Sequence, residues 1–334
     1  MRGASKAVVM GTFSAESAGQ GGILLPGGTT PNRVYRVALP AGGTAIRKVL
    51  SLETPEMRAQ GERELSFYTS GLVAALPSRC RAPRLLAPPL RRANGTAELL
   101  LEDVGACGPR TLRALCRAAA DLAHLHATFW DRCPQAPWML PAGGRIPYAS
   151  VALARSAVVA GAAVLGGERR ALLSLLDGLD RLAARRRSAV QTLGHGDYWS
   201  ANLAVGSHTV ALDWSDTGPA AAGEDLGVMA WTTVWFGKYP WRRYEALLTA
   251  LFAAYQREAG ALLGRAPSLD ALREGAELAI ASRFFAWALA EELPAALGWR
   301  SPSPRWPRRR GPAFTSWWAG ALGGMAGRLG PLRA

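Results

Sequence analysis

At 334 residues, with 49% hydrophobic and 19% charged residues, the chain is long enough for two lobes with their own cores, and its composition excludes an intrinsically disordered protein. The formal charge of +14 favours attraction to phosphates, nucleic acid or acidic surfaces and disfavours polycations. Only Lys6, Lys48 and Lys238 are lysines among the 39 basic residues, an arginine bias that explains the Arg:Lys ratio but not the shortage of acids.

In chain order, the N-terminus carries a weak apolar run that does not make a signal peptide. The runs NRVYRVAL (32–39) and TAIRKVLSL (44–52), separated by PAGG, predict a β-hairpin. A helix is predicted from Thr54 as N-cap, with Pro55 and Glu56 in the first turn, to Gly71 just past its end. AELLLEDVG (97–105) reads as a buried strand running into a connector. From LRALCRAAADLAHLHATFW (112–130) onward the spacing becomes helical, with further helices near 168–186, 219–236, 241–263 and 268–297. The longest nearly apolar stretch, 156–167, is too short to span a bilayer, and the Pro- and Arg-rich piece 301–312 reads as an exposed strap. A cytoplasmic protein without a membrane span is expected. The cysteines Cys80, Cys107, Cys116 and Cys133 form no CxxC pair, which argues against a metal or disulfide framework. The expected fold class is α+β: a small β-rich N-terminal lobe (1–103), a connector (104–108) and a larger, mostly helical C-terminal lobe (109–334).

Chemistry concentrates in HGDYWSANLAV (195–205) and LDWSD (212–216). Between them, a short hairpin around Gly206 and Ser207 would bring Asn202 and Asp213 together at the strand ends. A carboxylate and an amide oxygen suit Mg²⁺, which shares its shell with phosphates. A further carboxylate, Asp197, can orient a hydroxyl and accept its proton, which is the layout of phosphoryl transfer. In the helix after Thr54, Met57, Gly61, Glu64 and Tyr68 share one face, so Glu64 points into the lobe while Glu62 points elsewhere. A buried carboxylate needs a partner. Lys48 on the preceding strand is the natural one, with Arg47 as its rival, since strand alternation alone does not exclude it.

HGDYWSANL followed by LDW resembles the catalytic loop and metal-binding segment of the aminoglycoside phosphotransferase/choline kinase family, small-molecule kinases with a protein-kinase-like two-lobe fold. ERELSFY (62–68), LLLEDVG (99–105) and LAHLHATFW (122–130) extend the likeness, the last nearest to ecdysteroid-kinase-like and related bacterial branches. The resemblance implies ATP and Mg²⁺ as cofactors, Asp197 as catalytic base, Asn202 and Asp213 as metal ligands, and His195 and Asp225 as braces of the loop. It also implies Lys48 on the α/β-phosphates held by Glu64, and nucleotide contacts from Glu102 and Val104 at the connector. The phosphate-covering loop is expected in LPGGTTPNRVYRV (25–37), with Thr29 and Thr30 as hydroxyl donors, or in GTFSAESAGQGG (11–22); neither carries a full GxGxxG.

Several groups have plainer readings. Asp216 reads equally as a metal or substrate contact and as a solvated turn carboxylate. His124 and His126 read as core or lobe contacts, and the arginine run within 184–187 as solvated surface. The twelve tryptophans read mostly as core filler, although in this family Trp199, Trp231, Trp235, Trp287, Trp317 and Trp318 fall in segments that line or flank the acceptor cleft. Gly196, where protein kinases usually carry arginine, and the absence of an APE-like segment after Asp213 argue against a protein substrate. The expected activity is an ATP- and Mg²⁺-dependent phosphotransferase acting on a hydroxyl of a small molecule, the acceptor neutral or anionic and partly apolar. The alternatives are an aminoglycoside-type antibiotic phosphotransferase and a non-enzymatic nucleic-acid or anion-binding module; the first requires an acidic cleft, and the second leaves the full set of site residues unexplained.

Overall fold

The structure, a computed structural model, describes residues 22–25, 32–109, 111–142, 144, 148–189, 191–285, 289–290, 293 and 312–329. Five strands make one N-terminal sheet: β1 (Ile23–Leu24), β2 (Arg33–Ala38), β3 (Thr44–Ser51), β5 (Leu85–Arg92) and β6 (Thr96–Glu102), in the order β1-β2-β3-β6-β5. The predicted hairpin is β2–β3, with Val34 opposite Lys48. Strand β5 has no counterpart in the sequence reading. Pro88 and Pro89 cannot donate to a ladder, and the strand is accordingly at a sheet edge with register shifts on either side of Ala87.

Helix α1 (Pro55–Thr69) begins as read, with Thr54 Oγ1 accepting from Met57 N at 3.3 Å and Gly71 following at φ +84°. It lies so close to β3 that a Cβ on Gly61 would stand 2.6 Å from Leu52 Cδ2. Its buried face includes Gly61, Glu64, Leu65 and Tyr68, while Glu62 points out to Arg91. A short helix α2 (Leu72–Ala75) and strand β4 (Cys80–Arg81) follow. Strand β4 pairs in parallel with β9 (Thr209–Ala211), itself hairpinned to β8 (Leu203–Val205), and so ties the segment after α2 to the site segment.

The C-terminal lobe packs α3 (Leu112–Thr128) against α9 (Tyr244–Leu263) and α8 (Glu224–Trp235) against α10 (Leu269–Ala279). The α8–α10 crossing is tight: a Cβ on Gly227 would stand 2.6 Å from Ala276 Cβ. Helices α4 (Tyr148–Ala160) and α5 (Ala162–Leu165) precede α6 (Glu168–Asp177) and α7 (Leu179–Ser188), and α11 (Pro312–Leu329) returns onto α6. The single helix read at 168–186 is two, interrupted at Gly178. The stretch read as helical from 219 starts as strand β10 (Gly218–Ala220), paired with β7 (Thr192–Gly194). Beyond α10 the helix widens into a π-turn, Ile280–Phe284. Among the described residues, no helix is long and apolar enough to cross a membrane.

One surface reading is corrected by packing. Arg186 is buried rather than solvated, with Nε 2.6 Å from Glu224 Oε2, because α7 lies over the start of α8. Trp231, Trp235 and Trp318 are core, as the sequence predicts for most of the tryptophans: each is at most 2% exposed, and Trp231 stacks on Trp235 and Trp317. Trp287 lies outside the described residues.

Candidate active site

The HGD segment follows β7 and is shaped by one carboxylate. Asp225, in the first turn of α8, accepts from His195 N at 2.8 Å and Gly196 N at 2.9 Å. His126 reaches the same carboxylate from α3, Nε2 to Oδ2 at 3.4 Å, and its Nδ1 lies 3.0 Å from Tyr255 Oη. Burial acts to raise the Asp225 carboxyl, but His126 and His195 outweigh it and hold it below the usual range. Gly196 takes φ +81°, and a Cβ there would lie 2.2 Å from the carbonyl oxygen of Asp216, so only glycine fits.

His195 joins two segments of the site through its ring. Its Nδ1 accepts from Asp197 N at 3.2 Å, which requires Nε2 to carry the proton, and Nε2 donates to Leu212 O at 2.9 Å. The neutral ring therefore joins the HGD loop to the residue before Asp213, and burial lowers its pKa in keeping with that state.

Asp197, Asn202 and Asp213 come together as the hairpin predicts. Leu212 N donates to Asn202 O at 2.7 Å, directly before Asp213. Asn202 turns Nδ2 toward Asp197, 2.8 Å from Oδ2 and 3.1 Å from the backbone oxygen, which leaves its own Oδ1 as the acceptor facing away. Burial pushes the Asp197 carboxyl up, against the pull of Arg283. Asp213 sits at φ +60°, a costly conformation for a non-glycine residue and one that clusters at functional sites. Its Oδ1 receives Lys48 Nζ at 3.3 Å and Ser215 Oγ at 3.0 Å. Burial would raise this carboxyl, but Lys48 and Ser215 prevail and keep it low.

Lys48, not Arg47, faces Glu64, with Nζ 2.7 Å from Oε1. Arg47 points to the other side of β3, its guanidinium 4.9 Å above the Tyr35 ring. Burial opposes charge on Lys48, yet Asp213 and Glu64 together raise its pKa and keep it an ammonium. The remaining oxygens, Asn202 Oδ1 and Asp213 Oδ2, form an all-oxygen donor set of the kind a hard divalent cation takes, so the residues fit Mg²⁺.

The sequence reading missed a set of contacts at the edge of this cluster. Arg63 and Gln60 on α1 hold the turn after Asp213: Arg63 Nε donates to Ser215 O at 2.6 Å and Gln60 Nε2 to Ser215 Oγ at 3.1 Å. Asp216 is half-buried and ion-paired: Arg63 approaches one oxygen at 3.7 Å and Arg283 pairs with the other. It thus bridges the N-terminal helix and the π-turn after α10. Arg283 had a readable signal, a lone arginine within the apolar run ELAIASRFFAWALA. Trp214 adds apolar attachment, stacked on Phe67 of α1 with centroids 4.6 Å apart.

At the connector, Asp103 accepts from Arg36, Thr44 and Gly105 N, which fastens the chain's exit from β6 to β2 and β3. The Glu102 carboxylate is engaged with Arg81 and Arg84, so its side chain is directed to structure. Val104 is half-buried beside it. Thr29 and Thr30, and the 11–21 part of the alternative loop, lie outside the described residues.

A β-sheet lobe and a helical lobe, with Lys48–Glu64 on one side and Asp197, Asn202 and Asp213 on the other, define a protein-kinase-like fold. Residues 23–274 match the family model of the phosphotransferase enzyme family, APH, and the chain belongs to that family of small-molecule kinases. Similar solved structures include amicoumacin kinase in complex with AMP-PNP, Ca²⁺ and Ami, at 13% identity, covering 92% of this chain and 89% of that one with a TM-score of 0.53. A choline/ethanolamine kinase family protein from Mesorhizobium loti is 15% identical over 93% and 92% of the two chains, with a TM-score of 0.52. Spectinomycin phosphotransferase with ADP and spectinomycin is 13% identical over 91% of each, with a TM-score of 0.50. A search of the curated proteins returned no match.

Proposed function

We propose that the chain transfers the γ-phosphoryl group of Mg²⁺–ATP to a hydroxyl of a small molecule that is neutral or anionic and partly apolar. The observation that carries this is the placement of Asn202: its amide nitrogen is on Asp197 Oδ2, and its backbone oxygen accepts from Leu212 N, directly before Asp213. In this reading Asp197 orients the acceptor hydroxyl and receives its proton. Lys48, held by Glu64, contacts the nucleotide phosphates, and the backbone of Glu102 and Val104 meets the adenine. Asn202 and Asp213 would hold Mg²⁺, which supplies neutralisation of phosphate charge when bound. Asp225 and His195 keep the loop in shape without touching substrate. Residues 1–103 serve nucleotide binding, 104–108 connect, and 109–334 carry the catalytic groups and the acceptor site.

Nucleotide use is supported by two proteins of the same fold crystallised with AMP-PNP and with ADP. The aminoglycoside-type alternative is weaker, because the positive side chain of Arg283 stands 3.6 Å from Asp197. A nucleic-acid-binding module would not need Lys48, Glu64, Asp197, Asn202 and Asp213 all in place. The test is a thermal-shift measurement with Mg²⁺–ATP, then a screen of hydroxylated metabolites for ADP release. Stabilisation by Mg²⁺–ATP, and ADP release that depends on an added acceptor, are expected. No response to nucleotide, with salt-sensitive binding of RNA or DNA instead, would overturn the reading.

A further inference from the structure

The two oxygens of Asp197 face different neighbours. Oδ2 receives the Asn202 amide at 2.8 Å, on the side of the residues suited to a metal. Oδ1 has Arg283 Nη2 at 3.6 Å, beyond hydrogen-bonding range. A hydroxyl delivered to this carboxylate therefore arrives at Oδ1, and the substituent next to that hydroxyl meets a guanidinium.

Arg283 is held for such a role. It stands on the π-turn Ile280–Phe284, an irregularity that recurs at functional sites, and its side chain is 17% exposed. Among the described residues its hydrogen bonds run through Nη2, to Asp216, so Nη1 and Nε keep their hydrogens for a ligand. Asp216 is in turn shared with Arg63, so a second guanidinium stands near the acceptor side of Asp197. An ammonium would be placed against a guanidinium where screening by water is reduced.

We propose that Arg283 determines acceptor specificity by binding a carboxylate carried on the carbon next to the reacting hydroxyl, so that the enzyme selects hydroxy acids over amino alcohols. The inference rests on the reading of Asp197 as the group that receives the hydroxyl. Arginine suits the task because its planar fork matches a carboxylate in two-point contact, which a lysine cannot reproduce.

The test uses three probes with one hydroxyl and one phenyl group each: mandelate, mandelamide and 2-amino-1-phenylethanol. Their binding to the full chain is measured by ligand-observed NMR with and without Mg²⁺–AMP-PNP, alongside ADP release with Mg²⁺–ATP. Mandelate should bind at least about tenfold more tightly than the amino alcohol. Arg283→Gln should bring the two within about threefold of each other, and Arg283→Lys should keep the order with a smaller ratio. Because Arg283→Gln leaves Asp216 with one partner fewer, the double variant Arg283→Gln/Asp216→Asn serves where the single one does not fold. Equal or absent binding of all three probes by the parent, preference for the amino alcohol, or a mandelate preference that survives loss of Arg283 overturns the proposal. Failure of the phosphotransferase reading shows separately, as absence of Mg²⁺–ATP binding and ADP release, and the NMR ratios still decide the role of Arg283.

Discussion

The amide nitrogen of Asn202 lies 2.8 Å from Asp197 Oδ2, so Asn202 engages one oxygen of Asp197 and Asp197 fixes which end of the Asn202 amide faces it. In the proposed reading Asp197 offers Oδ1 to the acceptor and Asn202 offers Oδ1 to the cation. Asp197→Asn should therefore depress single-turnover transfer by about 10²- to 10⁴-fold while nucleotide affinity stays near that of the parent. Asn202→Ala should weaken Mg²⁺-dependent nucleotide binding as well, which Mg²⁺ titrations at fixed ATP will show.

Lys48 is buried between Glu64 and Asp213, whereas Arg47 covers Tyr35. Lys48→Ala is expected to weaken ATP binding by about tenfold or more, and Arg47→Ala by much less. Calorimetric titration checks both. Because Lys48→Ala strands Glu64, the variant Lys48→Ala/Glu64→Gln should recover thermal stability without recovering ATP affinity.

Gly196 and Gly42 both have positive φ, but only Gly196 has a backbone oxygen where a Cβ would go. Gly42→Ala should cost about 1–2 kcal/mol, the conformational penalty alone. Gly196→Ala carries the same penalty plus a forced shift of the HGD loop against Asp216, so it should lose more stability and most activity. Urea denaturation of the pair separates the two contributions.

The hydrogen bonds from Arg81 hold the Glu102 carboxyl at about 2, with burial opposing and Arg84 assisting. A depressed carboxyl stabilises the fold above its unfolded value of 4.5 and loses that contribution as pH falls toward 2. Glu102→Gln should thus cost about 1–2 kcal/mol at pH 7, discounted for the partial exposure of Arg81, and the gap to the parent should close between the two values. Denaturant titrations at pH 6 and at pH 3 measure the closing.

The parts of this molecule legible in the sequence are those set by local pattern. The β2–β3 hairpin, the Thr54 cap, the inward face of α1 and the hairpin that joins Asn202 to Asp213 all follow from spacing within a few residues. Long-range packing hid the rest. Strand β5 was obscured by Pro88 and Pro89, which an edge position tolerates. Arg186 looked solvated because its partner Glu224 is 38 positions away. Arg63, Asp216 and Arg283 form their bridge only when α1, the turn after Asp213 and the π-turn meet, and no periodicity records that meeting. That most tryptophans are core is legible from their type, but which ones are is not: Trp231 and Trp235 belong to cleft-flanking segments in the family, and their neighbours on α8 and α11 make them core.

The central claim is that Asp213 and Asn202 hold the metal–nucleotide complex while Asp197 serves the acceptor. Calorimetric titration of Mg²⁺–AMP-PNP into the parent, Asp197→Asn and Asp213→Asn tests it most directly. The account predicts binding by the parent and by Asp197→Asn, and binding by Asp213→Asn that is weakened and no longer responds to Mg²⁺. Loss of Mg²⁺-dependent binding in Asp197→Asn with retention in Asp213→Asn would contradict it.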